Sequence, residues 1–511
     1  MALFARSTFP RYNLRVLRGL LRSRILLPLP LAAAAYWAAA CTAAFGPGYA
    51  IIKQELGVQF RAGPEPVIRI DATYQLKNTG NQPLSSLELR LPGRRRFHFA
   101  DPRAEWDQTA LTFAPSPDNP RNVELQFRQP WKVSSLHTLH LAVEYQRAAA
   151  DQAVLSFTPD AFFLPAQGWS PELLPARGVL ASGGVPPAKW VFSVEVPDGF
   201  LVHVSGHIQH RQNSRNGRAQ VIHALQDSKD GYPFVVAGRF SLTVLTPGRQ
   251  VVNLWTRSPQ DASALSQPTD ALVRAIRAYD SMFGRRLQES DDLWIVECPV
   301  AAGCFSSSSS AYSQLIYGAD EKASAEMASI DTVMVNLTAG IPQIAAAAPS
   351  LAASWLGYGR NPGFFEQDPP LSALPAFAAA RGREAAGGGE ARAETIRRVL
   401  RAIPAASEPG QAAGQAEDAN VLRAKNFLFF YGLQDRYGPE LSDAALRHML
   451  DARRRGGFNL DDLIAALEQE AHQNVAQFVR LWMKHPGVPL EFRARYENSN
   501  ASAGNVKETS E

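Results

Sequence analysis

The sequence predicts an α+β multidomain protein, with an N-terminal antiparallel β-sandwich followed by a mixed α/β to mostly helical domain. Two observations support this prediction. Apolar and polar residues alternate up to about residue 257, and from about residue 270 the apolar residues recur with a helical period. Of the 511 residues, 46% are hydrophobic and 20% are charged, which argues against whole-chain disorder and against a polytopic membrane protein.

The β-sandwich domain is predicted over residues 49–257. Its clearest strand is the segment 68–77, in which apolar and polar side chains alternate, and turn residues follow at Asn78–Asn81. The same alternation predicts strands at Leu87–Leu91, Val123–Phe127, Leu136–Tyr145, Trp190–Val196, Phe240–Leu245 and Val251–Trp255. Many strands separated by turn residues favour a sandwich.

The second domain is predicted over residues 258–495 and begins with a polar linker, 258–268. An apolar helical face follows at 272–283, with short strands at Leu293–Val296 and Thr332–Leu337. Helices are predicted at 344–358, 394–402, 420–436, 442–453, 459–470 and 474–484. An Ala/Gly-rich stretch at about 380–419 is predicted to form a loose loop, and 496–511 a disordered tail.

Residues 1–48 form a basic N-terminus followed by an apolar membrane anchor or signal. Residues 25–45 carry no charge and are just long enough to cross a bilayer as a helix. Six arginines precede this segment, which predicts a cytoplasmic N-terminus and a body on the periplasmic or extracellular side. Because these arginines account for the net charge of +4, the body gives no reason to expect nucleic-acid binding.

The three cysteines leave two questions open. Ala38–Ala40 fits a signal cleavage site, and Cys41 follows it, so this stretch resembles a bacterial lipoprotein signal with Cys41 as the lipid acceptor. An uncleaved helix and a lipid on Cys41 both remain open as the anchor. Cys298 and Cys304 are predicted to form a small-loop disulfide if the compartment is oxidising.

Several segments resemble the membrane alanine aminopeptidases, a gluzincin family of thermolysin-like zinc peptidases. They are Tyr232–Phe240, Ala275–Gly284 with Leu293–Glu297, Lys425–Gly438 and Trp482–Pro489, in the family's order over about 50–495. The resemblance implies a saddle-shaped β-sandwich and a thermolysin-like catalytic domain. It also implies one zinc ion, which needs three protein ligands and one open position.

The positions that match the family's catalytic motifs hold other residues. In the segment 349–355, Pro349 and Ala353 stand where the two histidine ligands would be, and Ser350 stands at the general-base position. Ser372 occupies the third ligand position. Ser313 replaces the glutamate that holds a substrate amine, and Arg423 replaces the tyrosine that stabilises the oxyanion.

The histidine positions exclude a frame error, since none of the ten lies between residues 224 and 447. Pro349 also predicts that a helix starts or kinks there, because proline is tolerated only in the first turn. Elsewhere, His203, His207 and His210 have a spacing that would suit a metal site on a helix. Their strand-and-turn sequence favours a solvated hairpin instead.

The sequence therefore predicts a membrane-anchored, exported pseudopeptidase that needs no cofactor and binds an extended peptide or a protein partner. The expected cleft residues are Ser313 and Arg423, and a guanidinium can pair with a carboxylate. Two alternatives stay open. One is a hydrolase with a displaced or metal-free site, and the other is a structural subunit of a membrane assembly.

Overall fold

The computed structural model describes residues 48–91, 98–117, 119, 122–146, 156–166, 168–176, 185–213, 217–227, 232–257, 262–284, 286, 292–299, 325–329, 331–337, 347–356, 370–387, 392–403, 419–453, 459–484 and 487–497. The predicted anchor at 25–45 and the residues Cys41, Cys304 and Ser313 lie outside these ranges. Within them, no helix combines the length and the apolar character needed to span a bilayer.

The N-terminal half is rich in strands and the C-terminal half is mainly helical. The strands are β1 Tyr49–Arg61, β2 Val67–Asn78, β3 Leu84–Arg90, β4 His98–Trp106, β5 Thr109–Leu111, β6 Phe113–Pro115, β7 Val123–Trp131, β8 Leu136–Gln146, β9 Ser156–Thr158, β10 Ala161–Leu164, β11 Glu172–Leu173, β12 Lys189–Pro197, β13 Leu201–Val204, β14 His207–Asn213, β15 Ala219–Asp227, β16 Val235–Gly238, β17 Phe240–Leu245, β18 Val251–Arg257, β19 Asp292–Glu297, β20 Ala325–Ser329 and β21 Thr332–Val335.

The helices are α1 Ala262–Phe283, α2 Ala348–Leu356, α3 Leu374–Ala386, α4 Arg392–Arg401, α5 Ala419–Tyr437, α6 Pro439–Arg453, α7 Leu460–Ala471, α8 Ala476–Lys484 and α9 Leu490–Glu497. A 3-10 turn at Leu371–Ala373 precedes α3. The helix α9 was not predicted, and it extends two residues into the predicted tail.

Three sheets form the N-terminal domain. An eight-stranded sheet has the order β14-β15-β12-β1-β2-β8-β4-β5, and two four-stranded sheets have the orders β13-β16-β10-β9 and β11-β3-β7-β6. One continuous apolar core includes residues from all three sheets. In β2 the buried and accessible residues alternate as predicted, because one face of the strand covers this core.

The prediction of a purely antiparallel domain is wrong at the centre of the large sheet. Strands β1 and β12 pair in parallel, with Gln54 opposite Trp190. The local alternation of side chains does not encode which strands become neighbours, so two strands this far apart in sequence can pair in either direction.

The second domain contains a five-stranded sheet with the order β17-β18-β19-β21-β20. Strand β18 pairs in parallel with β19, so the predicted boundary after residue 257 would divide this sheet. A boundary near Arg239, before β17, would keep this sheet within one domain. A small apolar cluster joins the two domains here, and it includes Phe163, Phe234, Trp255 and Val296.

Two segments that were predicted to be irregular are partly helical. Helix α1 begins at Ala262, inside the predicted linker, and includes Pro268. The predicted loop at about 380–419 contains the end of α3, whereas α4 confirms the helix that was predicted within it at 394–402. Gly382 suggested a loop, but it is a packing position, because a Cβ atom there would lie 1.8 Å from the hydroxyl oxygen of Tyr279 on α1.

The substitution Gly382→Ala is expected to destabilise the protein, although alanine is the better helix former. Overpacking in a rigid core costs about 1–3 kcal/mol, which exceeds the gain of about 1 kcal/mol from helix propensity. Urea unfolding of the wild type and the variant measures the difference. The loss should shrink in a Tyr279→Leu background, which removes the ring, because ring carbons of Tyr279 would also lie within 3.1 Å of the added Cβ atom. An equal loss in both backgrounds would contradict the assigned contact.

Candidate functional site

Helix α2 carries three of the positions that the zinc-peptidase resemblance marks as catalytic. It begins at Ala348, so Pro349 lies in its first turn and the predicted helix start near Pro349 is confirmed. Pro349 and Ser350 are half-buried. Ala353 is only 8% exposed.

Polar contacts from α1 and the residues after it fix α2 in place. The hydroxyl of Tyr279 donates to the carbonyl oxygen of Ala348 at 2.9 Å. The indole Nε1 of Trp355 donates to Oδ1 of Asp280 at 3.2 Å. The guanidinium of Arg286, which is 1% exposed, donates to Oγ of Ser354 at 3.1 Å.

Asp280 is partly withdrawn from water at this contact. Burial raises the pKa of its carboxyl above the usual value, while hydrogen bonds from Trp355, the Arg249 backbone and Gln250 act in the opposite direction. A carboxylate that accepts an indole N–H at the end of a helix is a positioning group. Asp280 lies on α1, and its hydrogen bond with Trp355 aligns α2 against α1.

Ser372 and Arg423 lie on elements that pack around the same group of helices. Ser372 is half-buried in the 3-10 turn that leads into α3, and α3 contacts α2. Arg423 is the fifth residue of α5, and α5 contacts the 3-10 turn that carries Ser372. Nη1 of Arg423 donates to Oδ1 of Asn420 at 2.7 Å, and this contact is exposed.

The residues at the three ligand positions do not fit a zinc ion. Zinc in proteins is bound by imidazole nitrogen, thiolate sulfur or carboxylate oxygen. The side chains present are the pyrrolidine ring of Pro349, the methyl group of Ala353 and the hydroxyl of Ser372. Within the described ranges, no three His, Cys, Asp or Glu side chains converge so that they could hold a metal.

A polar network that the sequence did not reveal lies next to these elements. The hydroxyl of Tyr431 on α5 donates to Glu384 on α3 at 2.8 Å, and Arg381 pairs with Glu384 at 2.6 Å. Arg392 on α4 lies 5.1 Å from the Tyr431 ring centroid and pairs with Asp435 at 2.6 Å. The Arg381–Glu384 pair lies within α3, but the contacts of Tyr431 and Arg392 cross between helices and connect α3, α4 and α5.

The three histidines at 203, 207 and 210 do not form one site. His207 and His210 are exposed on β14, where His210 stacks on His223 of β15 with ring centroids 4.2 Å apart. The predicted solvated hairpin describes these two residues but is wrong for His203. His203 lies on β13 and stacks on Trp294 of β19 at 4.2 Å, at the contact between the two domains.

His203 is held in its neutral form. Its Nε2 lies 2.9 Å from Oγ1 of Thr332, which in turn donates to Asp331, so a proton on Nε2 completes the chain. Burial lowers the pKa of His203 to about 4, against an opposing effect of the Asp331 carboxylate. A charged imidazolium is therefore disfavoured at this position, where His203 contacts Trp255 on β18 and Trp294 on β19.

The free energy of unfolding should decrease as the pH is lowered, because of His203. In the unfolded chain the pKa of histidine is about 6.5, so the unfolded state binds more protons between that pH and about 4. The contribution of His203 is present above pH 6.5 and is lost as the pH falls to 4, by roughly 3 kcal/mol in total. Urea unfolding at several pH values measures this loss.

The variant His203→Phe keeps a ring for stacking on Trp294 but does not titrate. Its unfolding free energy should vary less between pH 7 and pH 4 than that of the wild type. Equal slopes in the two proteins would show that His203 is not the group that senses the acid.

Of the two cysteines that were predicted to form a disulfide, only Cys298 lies in the part of the chain that the structure describes. Cys298 is disulfide-bonded and buried between the two domains. Cys304 lies outside the described residues, so its pairing with Cys298 stays a prediction. Cys41 and Ser313 lie outside them as well.

No protein-family model matches the chain, and no curated protein matches its sequence. Among solved structures, the fold is similar to that of a mutant M1 zinc metallopeptidase from Deinococcus radiodurans, with 17% identity and a TM-score of 0.46 over 86% of this chain and 96% of that chain. Another structure of the Deinococcus radiodurans enzyme gives 16% identity and a TM-score of 0.43, covering 86% of this chain and 95% of that one. Legionella pneumophila aminopeptidase A, in complex with aspartic acid, gives 13% identity and a TM-score of 0.45 over 86% of this chain and 50% of that chain. At these identities the likeness concerns the fold alone.

Proposed function

We propose that this chain is an exported, membrane-anchored, aminopeptidase-like protein that binds a peptide or protein partner without zinc-dependent hydrolysis. The observation that supports the proposal most is the chemistry at the three ligand positions. Pro349, Ala353 and Ser372 offer neither imidazole nor carboxylate. A zinc ion needs such donors to lower the pKa of a bound water.

The packing of α2 supports a retained binding role. Tyr279, Asp280 and Arg286 each hold this helix by a hydrogen bond. None of these contacts involves a ligand position, so the catalytic residues can be absent while the framework of the cleft stays rigid. A rigid groove limits the entropy cost of binding, which favours recognition of a partner.

An edge strand lies next to this helix. Among the described strands, β20 is the outermost of the five-stranded sheet on this side, and it contacts α2. An extended peptide that pairs with an edge strand gains main-chain hydrogen bonds, and nearby pockets select its side chains. We place the partner's backbone along β20.

The charges at the matched positions favour binding of a peptide carboxylate, whereas the resembled family binds the amine of its substrate. That family holds the amine of its substrate with a glutamate, whereas this chain has Ser313 there and a cation at Arg423. Arginine binds carboxylates in a bidentate manner. The preferred ligand is therefore an extended peptide with a carboxylate near α5.

Binding of such a peptide should weaken about tenfold or more in the variant Arg423→Ala, because a hydrogen bond to a charged group contributes about 1.5–3 kcal/mol. Fluorescence anisotropy with a labelled library of tripeptides measures the effect. Peptides with a free C-terminal carboxylate are compared with the same peptides carrying a C-terminal amide. Ser313→Ala should weaken binding less, since it removes a neutral group.

Arg436→Ala is the matched control, because Arg436 is an exposed arginine in the last turn of the same helix. It should leave binding unchanged. Equal affinities for all three variants and the wild type, or no preference for the carboxylate over the amide, would contradict the proposed site.

A further inference from the structure

An exposed apolar patch lies at the end of the eight-stranded sheet where the described chain begins. Ile52, Val133 and Leu136 are 51%, 41% and 57% exposed. We call these three residues the apolar tip. Large aliphatic side chains that are exposed together on a sheet mark an interaction surface more often than a solvated one.

Neighbouring strands bring the apolar tip together. Lys77 on β2 lies opposite Leu136 on β8 and opposite Ala50 on β1, so these residues share a face of the sheet. The register of β1 against β2 shifts between Ile51 and Lys53, which leaves Ile52 as the extra residue. A residue at a bulge has no partner in the ladder and is turned outward.

The turn that carries Val133 is tied to the same end of the sheet. The backbone N–H of Ser134 donates to the carbonyl oxygen of Asn78 at 2.9 Å. The hydroxyl of Ser135 donates to the carbonyl oxygen of Lys132 at 2.7 Å, which closes the turn. The position of Val133 is therefore fixed by the sheet and does not depend on a loose loop.

Lysines surround the apolar tip, although lysine is rare in this chain. Of only nine lysines in the sequence, Lys53, Lys77 and Lys132 lie at this end, and all three are exposed. Glu55 is the acid nearest to them along β1, and it pairs with Lys53 at 2.5 Å.

A fourth lysine extends the basic rim. Strands β1 and β12 pair in parallel with Gln54 opposite Trp190, which places Lys189 beside Lys53 on the next strand. Asp227 lies opposite Lys189 on β15. Asp107, in the turn after β4, is a third acid at this end of the sheet, where it pairs with His137. Four lysines against three acids leave this end with a small positive excess.

The start of the described chain fixes the distance from this surface to the predicted anchor. The carbonyl oxygen of Gly48 accepts from the N–H of Gly80 at 2.8 Å and from that of Thr79 at 3.2 Å, at the end of β2. The apolar segment 25–45 ends three residues before Gly48. Three residues span at most about 10 Å, so a helical anchor would hold this end of the sheet at the headgroup level. A lipid on Cys41 would allow up to about 25 Å, because seven residues separate Cys41 from Gly48.

We infer that the apolar tip docks on the surface of the bilayer that holds the anchor. Ile52, Val133 and Leu136 enter the boundary between headgroups and acyl chains, and the lysines contact anionic headgroups. Exposed aliphatic side chains within a rim of lysines suit such a surface, since lysine stems lie along apolar material while the ammonium groups stay at the phosphates. This inference rests on the proposed membrane anchoring and adds an orientation of the body relative to the membrane.

Lysine acetylation of the full chain tests this docking. The chain is reconstituted into vesicles of phosphatidylcholine with an anionic phospholipid, acetylated briefly and digested for mass spectrometry. Lys53, Lys77 and Lys132 should react severalfold more slowly than in detergent solution. Lys484, which is exposed on α8, is the internal reference and should react equally in both.

Two sets of substitutions separate docking from unspecific protection. Ile52→Ser, Val133→Ser and Leu136→Ser together should restore the reactivity of the three lysines while the chain still floats with the vesicles. Leu242→Ser with Val244→Ser is the matched control, because these side chains on β17 are 50% and 56% exposed but lie in the other domain. The control should keep the protection.

The outcomes are distinguishable. A chain that floats with vesicles but whose three lysines react like Lys484 contradicts the docking and leaves the anchor intact. A chain that does not float contradicts the anchor, and the docking fails with it. Protection that survives the triple substitution also overturns the assignment to the apolar tip.

Discussion

The architecture of the second domain depends on the packing around one buried tyrosine. The hydroxyl of Tyr279 on α1 donates to the backbone of α2, and its ring lies 5.2 Å from that of Trp355. On another side it contacts α3 at Gly382, where even a methyl group has no room. Three helices are therefore fixed by one side chain that is fully buried and hydrogen-bonded. This contact holds α2, the helix that carries the positions matched to the zinc ligands in the resemblance.

Under the proposed function, this arrangement would allow the fold to persist without zinc ligands. In a structural zinc site the metal contributes to folding, so loss of the ligands unfolds the domain. Here three hydrogen bonds fix α2 from the side of α1. Tyr279 donates to the carbonyl oxygen of Ala348, Trp355 donates to Asp280, and Arg286 donates to Ser354. None of these hydrogen bonds involves the side chains of Pro349, Ser350 or Ala353. The fixed position of α2 beside the edge strand β20 is the physical basis of the proposed binding role.

Much of the fold was predictable from local patterns, and the errors have physical causes. Alternation located β2 within one residue, because one face of this strand covers the core. The same pattern located β17, although most of its side chains are exposed. The parallel β1–β12 pair was not predictable, because pairing between distant strands leaves no local signal. Gly382 and Pro268 suggested irregular chain, yet both lie inside helices. The helix start at Pro349 was predictable from the chemistry of proline, whereas the partners of His203 depended on the contact between two domains.

The central claim, that the ligand positions no longer bind zinc, is tested most directly by elemental analysis. The full chain is purified, dialysed against a metal-free buffer and assayed for zinc per polypeptide, with aminoacyl-substrate hydrolysis measured in parallel with and without a chelator. The account predicts zinc near zero and no hydrolysis that a chelator abolishes. About one zinc per chain, with hydrolysis lost on chelation, would contradict it and would mean that other residues supply the three ligands that a catalytic zinc needs.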